Sequence, residues 1–194
     1  MRRSIFACGL LLVLAGISSA VATGANGHGR QSEPTMQGTA GQADGHTAAY
    51  WNAKAQRAQA AAKRWLTVIH GRPPHDFSST SARQSSSAQD ARDTARSWQK
   101  RASAARKTAH HPPHLRAWYC IHNREGAWND PNAPYWGGLQ MDMNFQAAYG
   151  KWLLNHKGTA DHWTPLEQIW AGVRAWRTRG FEPWSSSAHA CGVY

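Results

Sequence analysis

From Thr47 onwards, small and apolar side chains return every three or four positions. In the stretch TAAYWNAKAQRAQAAAKRWLTVIHG, residues Trp51, Ala55, Ala58, Ala62, Trp65 and Ile69 share one face, which predicts a helix. Gly71-Arg72-Pro73-Pro74 ends it, since proline lacks the N–H a helix needs and restricts the residue before it. After a Ser-rich stretch, QDARDTARSWQKRASAARKTA predicts a second helix of mixed charge. Trp98 is its only large apolar residue, so loose packing or partial disorder is expected there. His110-His111-Pro112-Pro113 forms a turn or hinge before a third apolar face made by Leu115, Trp118 and Ile121. Further on, Thr164-Pro165-Leu166-Glu167 combines an N-cap, a first-turn proline and a capping-box glutamate. Leu166, Ile169, Trp170, Val173 and Trp176 continue that helix's stripe towards Gly180.

The chain is therefore expected to be mainly α-helical, and composition divides it further. Residues 1–22 carry two arginines, an apolar run from Ile5 to Ile17 and small residues ending in Ala20-Val21-Ala22. This is the pattern of a secretory signal peptide, and the run falls short of the roughly 20 residues that span a bilayer. Residues 23–46 hold scarcely an apolar side chain and read as a flexible linker. Residues 47–109 form a basic helical segment, and residues 115–194 hold eight of the 11 tryptophans, so the principal core and the site are expected in that last domain. The expected location is secreted, extracellular or cell-wall associated, with no stable membrane anchor.

Removal of the leader takes Cys8 with it and leaves Cys120 and Cys191, an even number in an exported chain, expected to form one disulfide. The net charge of +11 is uneven: residues 23–114 carry 13 Lys and Arg against 5 Asp and Glu, whereas residues 115–194 carry 7 against 6. The basic helices could lie on anionic cell-wall polymers or serve as a solvated spacer. A nucleic-acid partner is opposed by the export signal and by the nearly neutral last domain. His110, His111 and His114 have no thiol or carboxylate beside them at a recognised ligand spacing, so no metal and no cofactor are expected.

Glu125 follows Ile121 on the apolar face of the third helix, immediately before Gly126, a candidate helix cap. Apolar neighbours and the negative end of the helix dipole both disfavour an ionised carboxylate, the condition a general acid needs. Gly137-Gly138 can admit backbone close to a ligand, while Trp128, Tyr135 and Trp136 offer flat apolar faces for a ligand's rings or, equally, core packing. Gln140 could hydrogen-bond a polar group of the same ligand. Asp130 and Asp142 are candidates for a second carboxylate or for ligand contact; as structural residues they suit a turn and a helix start. Glu167 is better explained as a cap.

Glu125, Gly126, Trp128, the stretch Tyr135-Trp136-Gly137-Gly138-Leu139-Gln140 and the late Cys191, matched by Cys120, resemble the actinobacterial resuscitation-promoting factors and transglycosylase-like domains of the lysozyme-like superfamily. The resemblance covers residues 115–194 and none of the basic segment. It implies a small α-helical lysozyme-like domain with a short hairpin or loop beside a sugar cleft. It also implies cleavage of peptidoglycan glycan strands, with Glu125 as general acid. If neither Asp130 nor Asp142 assists, it implies a lytic transglycosylase. In that reaction Glu125 protonates the glycosidic oxygen and then takes a proton from the sugar's own hydroxyl, giving an anhydro-muramyl end. A muramidase, with a second carboxylate, is the hydrolytic alternative. The competing reading is a non-catalytic peptidoglycan-binding or signalling domain on the same fold, since fold does not fix function.

Overall fold

The computed structural model describes residues 45–77 and 84–193, so the expected signal peptide and nearly all of the expected linker lie outside the described residues. Among the described residues the chain is mainly helical and contains no strand; Trp136 and Met141 form an isolated antiparallel bridge. No helix among them is long and apolar enough to cross a membrane.

Helices α1 (Ala48–His70) and α2 (Ala88–His110) pack side by side along their length and run in the same direction: Arg92 lies over the Trp51 ring near their starts, and His110 packs on Trp65 near their ends. Thr47 caps α1 by accepting from the Tyr50 N–H, and Gly71 closes it in the left-handed region at φ 71°. Asn52 and Ser85 exchange two hydrogen bonds of 2.9 and 3.2 Å, which tie the approach to α2 to the first turns of α1. Ala55, Ala58 and Ala62 of α1 meet Ala91 and Ala95 of α2, closed by Trp51 and Trp98. The expectation that α2 is loosely packed or partly disordered is corrected: it is a continuous helix of 23 residues. A stripe of alanines looks weak when large apolar residues are counted. Its small side chains instead let two backbones approach and bury surface between them.

The second core is built from α3 (Leu115–Glu125), α4 (Met143–Lys157), α5 (Pro165–Arg179) and α6 (Ser185–Ala190). Trp118 is fully buried among Phe181, Trp184 and Gly172, and its indole N–H donates to the Pro113 carbonyl at 2.9 Å. Gly150 interrupts α4 with a non-helical backbone, and a Cβ there would lie 2.3 Å from the Trp163 ring. The glycine therefore gives the tryptophan room to enter the core. Thr164 and Glu167 complete the expected capping box on α5, and Lys157 pairs with Glu167 at 2.6 Å.

The two cores belong to one compact unit. Val68, Ile69 and Ala109, from the C-terminal ends of α1 and α2, are buried in the second core. The Trp170 indole N–H donates to the Ala109 carbonyl at 2.9 Å, and Arg174 Nη1 donates to the Ile69 carbonyl at 3.0 Å. Around the hinge, His111 bonds the Lys107 carbonyl, His110 packs on Trp65 and His114 on Trp176.

Candidate active site

Glu125 is the last residue of α3 and is half-buried. Its Oε1 accepts a hydrogen bond from the Ser187 hydroxyl on α6. The Cys120–Cys191 disulfide, spanning a sequence separation of 71, joins α3 to the end of α6 and so holds donor and acceptor on linked elements. Arg124 turns away and donates to the Ala190 carbonyl at 3.3 Å. None of the ion pairs among the described residues involves Glu125.

The loop from Gly126 to Asp142 wraps back over this helix end. Gly126 is extended at φ 169°, a conformation open to any residue, and its constraint is space: a Cβ would lie 2.8 Å from Gln140 Nε2 and 3.3 Å from Asp130 Oδ2. Gln140 donates to Asp130 Oδ2 at 3.0 Å and to the Gly137 carbonyl at 3.1 Å, while Asp130 Oδ1 accepts from the Asn132 backbone N–H at 3.2 Å. Asp130 is thus a loop-building residue, the turn role its sequence context suggests. Asp142 is the N-cap of α4, accepting from the Phe145 N–H at 2.6 Å.

Gly137 and Gly138 are buried and closely walled. A Cβ on Gly137 would lie 2.5 Å from Gln168 Oε1, and one on Gly138 would lie 2.5 Å from His122 Nδ1 and 2.6 Å from Trp128 Cε3. The Gly138 N–H donates to Gln168 Oε1 at 2.8 Å. These glycines bring the backbone close to protein side chains, where the sequence suggested closeness to a ligand. Trp128 stacks on the His122 ring at 3.8 Å and 19°, so one of its faces is already covered. Trp136 is half-buried and bridged through its backbone to Met141.

A groove of about 470 Å³ opens beside the loop, within the range of small-ligand sites. Tyr135, which is 49% exposed, lines it together with Gln140, Asp142, Phe145, Arg179 and Trp184. The structure thus gathers three of the expected site residues, Tyr135, Gln140 and Asp142, onto one groove. Glu125, Trp128, Trp136, Gly137 and Gly138 are not among its lining residues. Glu125 is nonetheless flanked by neighbours of that wall: Gly126 abuts Gln140, and Ser187 lies one helical turn beyond Trp184.

Three contributors escape the sequence pattern. Ser187 and Trp184 lie 62 and 45 residues from the residues they bond, Glu125 and Leu139, with no periodicity linking them. Gln168 is fully buried and bonds Trp128 and Gly138 on one loop and Ala160 and Trp163 on another. Its one available signal is a polar residue beside the buried stripe of α5. No protein-family model matches this chain, and searches of the curated proteins and of the solved structures found no match either.

Proposed function

We propose that this protein cleaves peptidoglycan glycan strands, with Glu125 as the general acid. The observation that carries the reading is the half-buried carboxyl at the end of α3, without a cation partner among the described residues and bonded by a hydroxyl from the disulfide-linked α6. Ser187 donates to Oε1, which leaves Oε2 to carry a proton to a glycosidic oxygen. The neighbouring groove supplies an exposed tyrosine ring for a sugar face, with polar atoms of Gln140 and Asp142 along its edge.

Both candidate second carboxylates are engaged in shaping the loop and the start of α4. This favours a single-acid, lytic-transglycosylase course over a two-carboxylate hydrolysis. Glu125 gives its proton to the departing oxygen, and its carboxylate then accepts the proton of a hydroxyl on the same sugar as that oxygen closes on the anomeric carbon. One observation favours a second reading, a wall-binding domain without catalysis: Glu125 does not itself line the groove.

The test is digestion of insoluble peptidoglycan by the full chain, oxidised, beside Glu125→Gln, with released ends identified by mass spectrometry. Anhydro-muramyl ends from the native chain alone are expected. Reducing ends would make it a muramidase, and retention on the polymer without release by either form would support the binding reading.

A further inference from the structure

On the other side of Ala148 and Tyr149 from the groove lies a second hollow of about 370 Å³, and both residues line both cavities. It sits where the end of α1 meets α4 and α5. Arg72, Lys151 and Arg174 bring cations to it, His70 and Trp152 add aromatic walls, and no lining residue carries a carboxylate.

Arg174 is the unusual member. Its Nε donates to the Tyr149 carbonyl at 2.6 Å and its Nη1 to Ile69, whereas Nη2 is sealed from solvent with no acceptor. Gly71 lies so close over the guanidinium that a Cβ there would be 2.7 Å from Cζ. Burial, reinforced by the charge of Arg177, lowers the Arg174 pKa to about 10. The charged form is thus under-compensated in the folded protein, a cost present below about pH 10 and relieved above it. Around this buried cation, Arg72 and Lys151 are exposed and able to turn towards a ligand. Arg72 Nη1 lies 3.1 Å from His75 Nε2, and Lys151 forms no ion pair among the described residues.

We infer that this hollow binds a carboxylate of an acidic peptide carried by the glycan that occupies the adjoining groove, gripped by Arg72 and Lys151 above the buried Arg174. The inference rests on the proposed substrate. A strand lying along Tyr135 and Tyr149 would direct a side branch over Ala148 into the cationic hollow, and a guanidinium with an ammonium suits an oxyanion there. The site would make the protein prefer glycan bearing free peptide carboxylates over bare or amidated strands.

Calorimetric titration of the full chain with four probes tests this: a muramyl peptide with free carboxylates, the same compound amidated, a peptide-free glycan oligomer, and inorganic phosphate. The free-carboxylate compound is expected to bind about tenfold more tightly than the amidated one, the scale of two partly exposed charge pairs. Arg72→Gln combined with Lys151→Gln is expected to abolish that difference and leave the glycan oligomer's affinity unchanged. Equal binding of the two peptide forms by the native chain, or a difference that survives in the double variant, overturns the inference. So does phosphate that binds as tightly as the free-carboxylate compound. If the glycan oligomer fails to bind while the carboxylate-dependent difference persists and needs Arg72 and Lys151, the glycan reading fails and the anion site stands.

Discussion

At Gly138 the nearest atoms to an added methyl group belong to two stacked rings, His122 and Trp128, and neither can withdraw without disturbing the other. Gly138→Ala is therefore expected to destabilise the protein by about 1–3 kcal/mol, the usual cost of overpacking a filled site. Urea denaturation followed by tryptophan fluorescence measures it, and an unchanged midpoint would mean that the loop relaxes freely. The same comparison explains which single residues could be read beforehand. Glu125 stood out because a carboxylate among Leu115, Trp118 and Ile121 breaks a local pattern. Gln168 did not, because a polar residue on an amphipathic helix is unremarkable until its burial is known.

Among the elements, α5 was the most legible, since its cap, proline and stripe all lie within fifteen consecutive residues. Helix α6 was not: SSSAHA spans six residues and lacks a side-chain cap, so it owes its place to Trp184 and to the disulfide that follows. Replacing Cys120 and Cys191 together by serine releases a loop of 71 residues, an expected loss on the order of 4 kcal/mol. Because α6 carries Ser187, the same variant is expected to lose glycan-cleaving activity at temperatures where the rest of the chain stays folded. Circular dichroism beside the digestion assay separates the two effects; full activity without the disulfide would show that Ser187 is positioned by packing alone.

For the whole molecule, the paired C-terminal ends of α1 and α2 close one side of the second core. Val68, Ile69 and Ala109 are buried there, and Trp170 and Arg174 of α5 donate to backbone carbonyls of α1 and α2. Residues 115–194 produced alone are expected to melt at a lower temperature than the full chain. Removal of the α1 and α2 pair exposes apolar surface at about 25 cal/mol per Å² and leaves the Trp170 indole N–H without its acceptor. Calorimetry of both forms checks this. A matching midpoint for residues 115–194 would mean that the second core does not need the helix pair.

The amino-acid sequence determined what local spacing can encode: four of the six helices and the start of α4 at Asp142, the role of Glu167, and Glu125 as a carboxylate at the end of an apolar face. Periodicity and caps act over three to seven residues, so those features are written contiguously. Tertiary structure alone decided that Ser187 meets Glu125, that Gly137 and Gly138 fit around Gln168, His122 and Trp128, and that Arg72, Lys151 and Arg174 converge beside the groove. Those juxtapositions arise from packing between distant segments, and packing selects partners by shape and burial over the whole core.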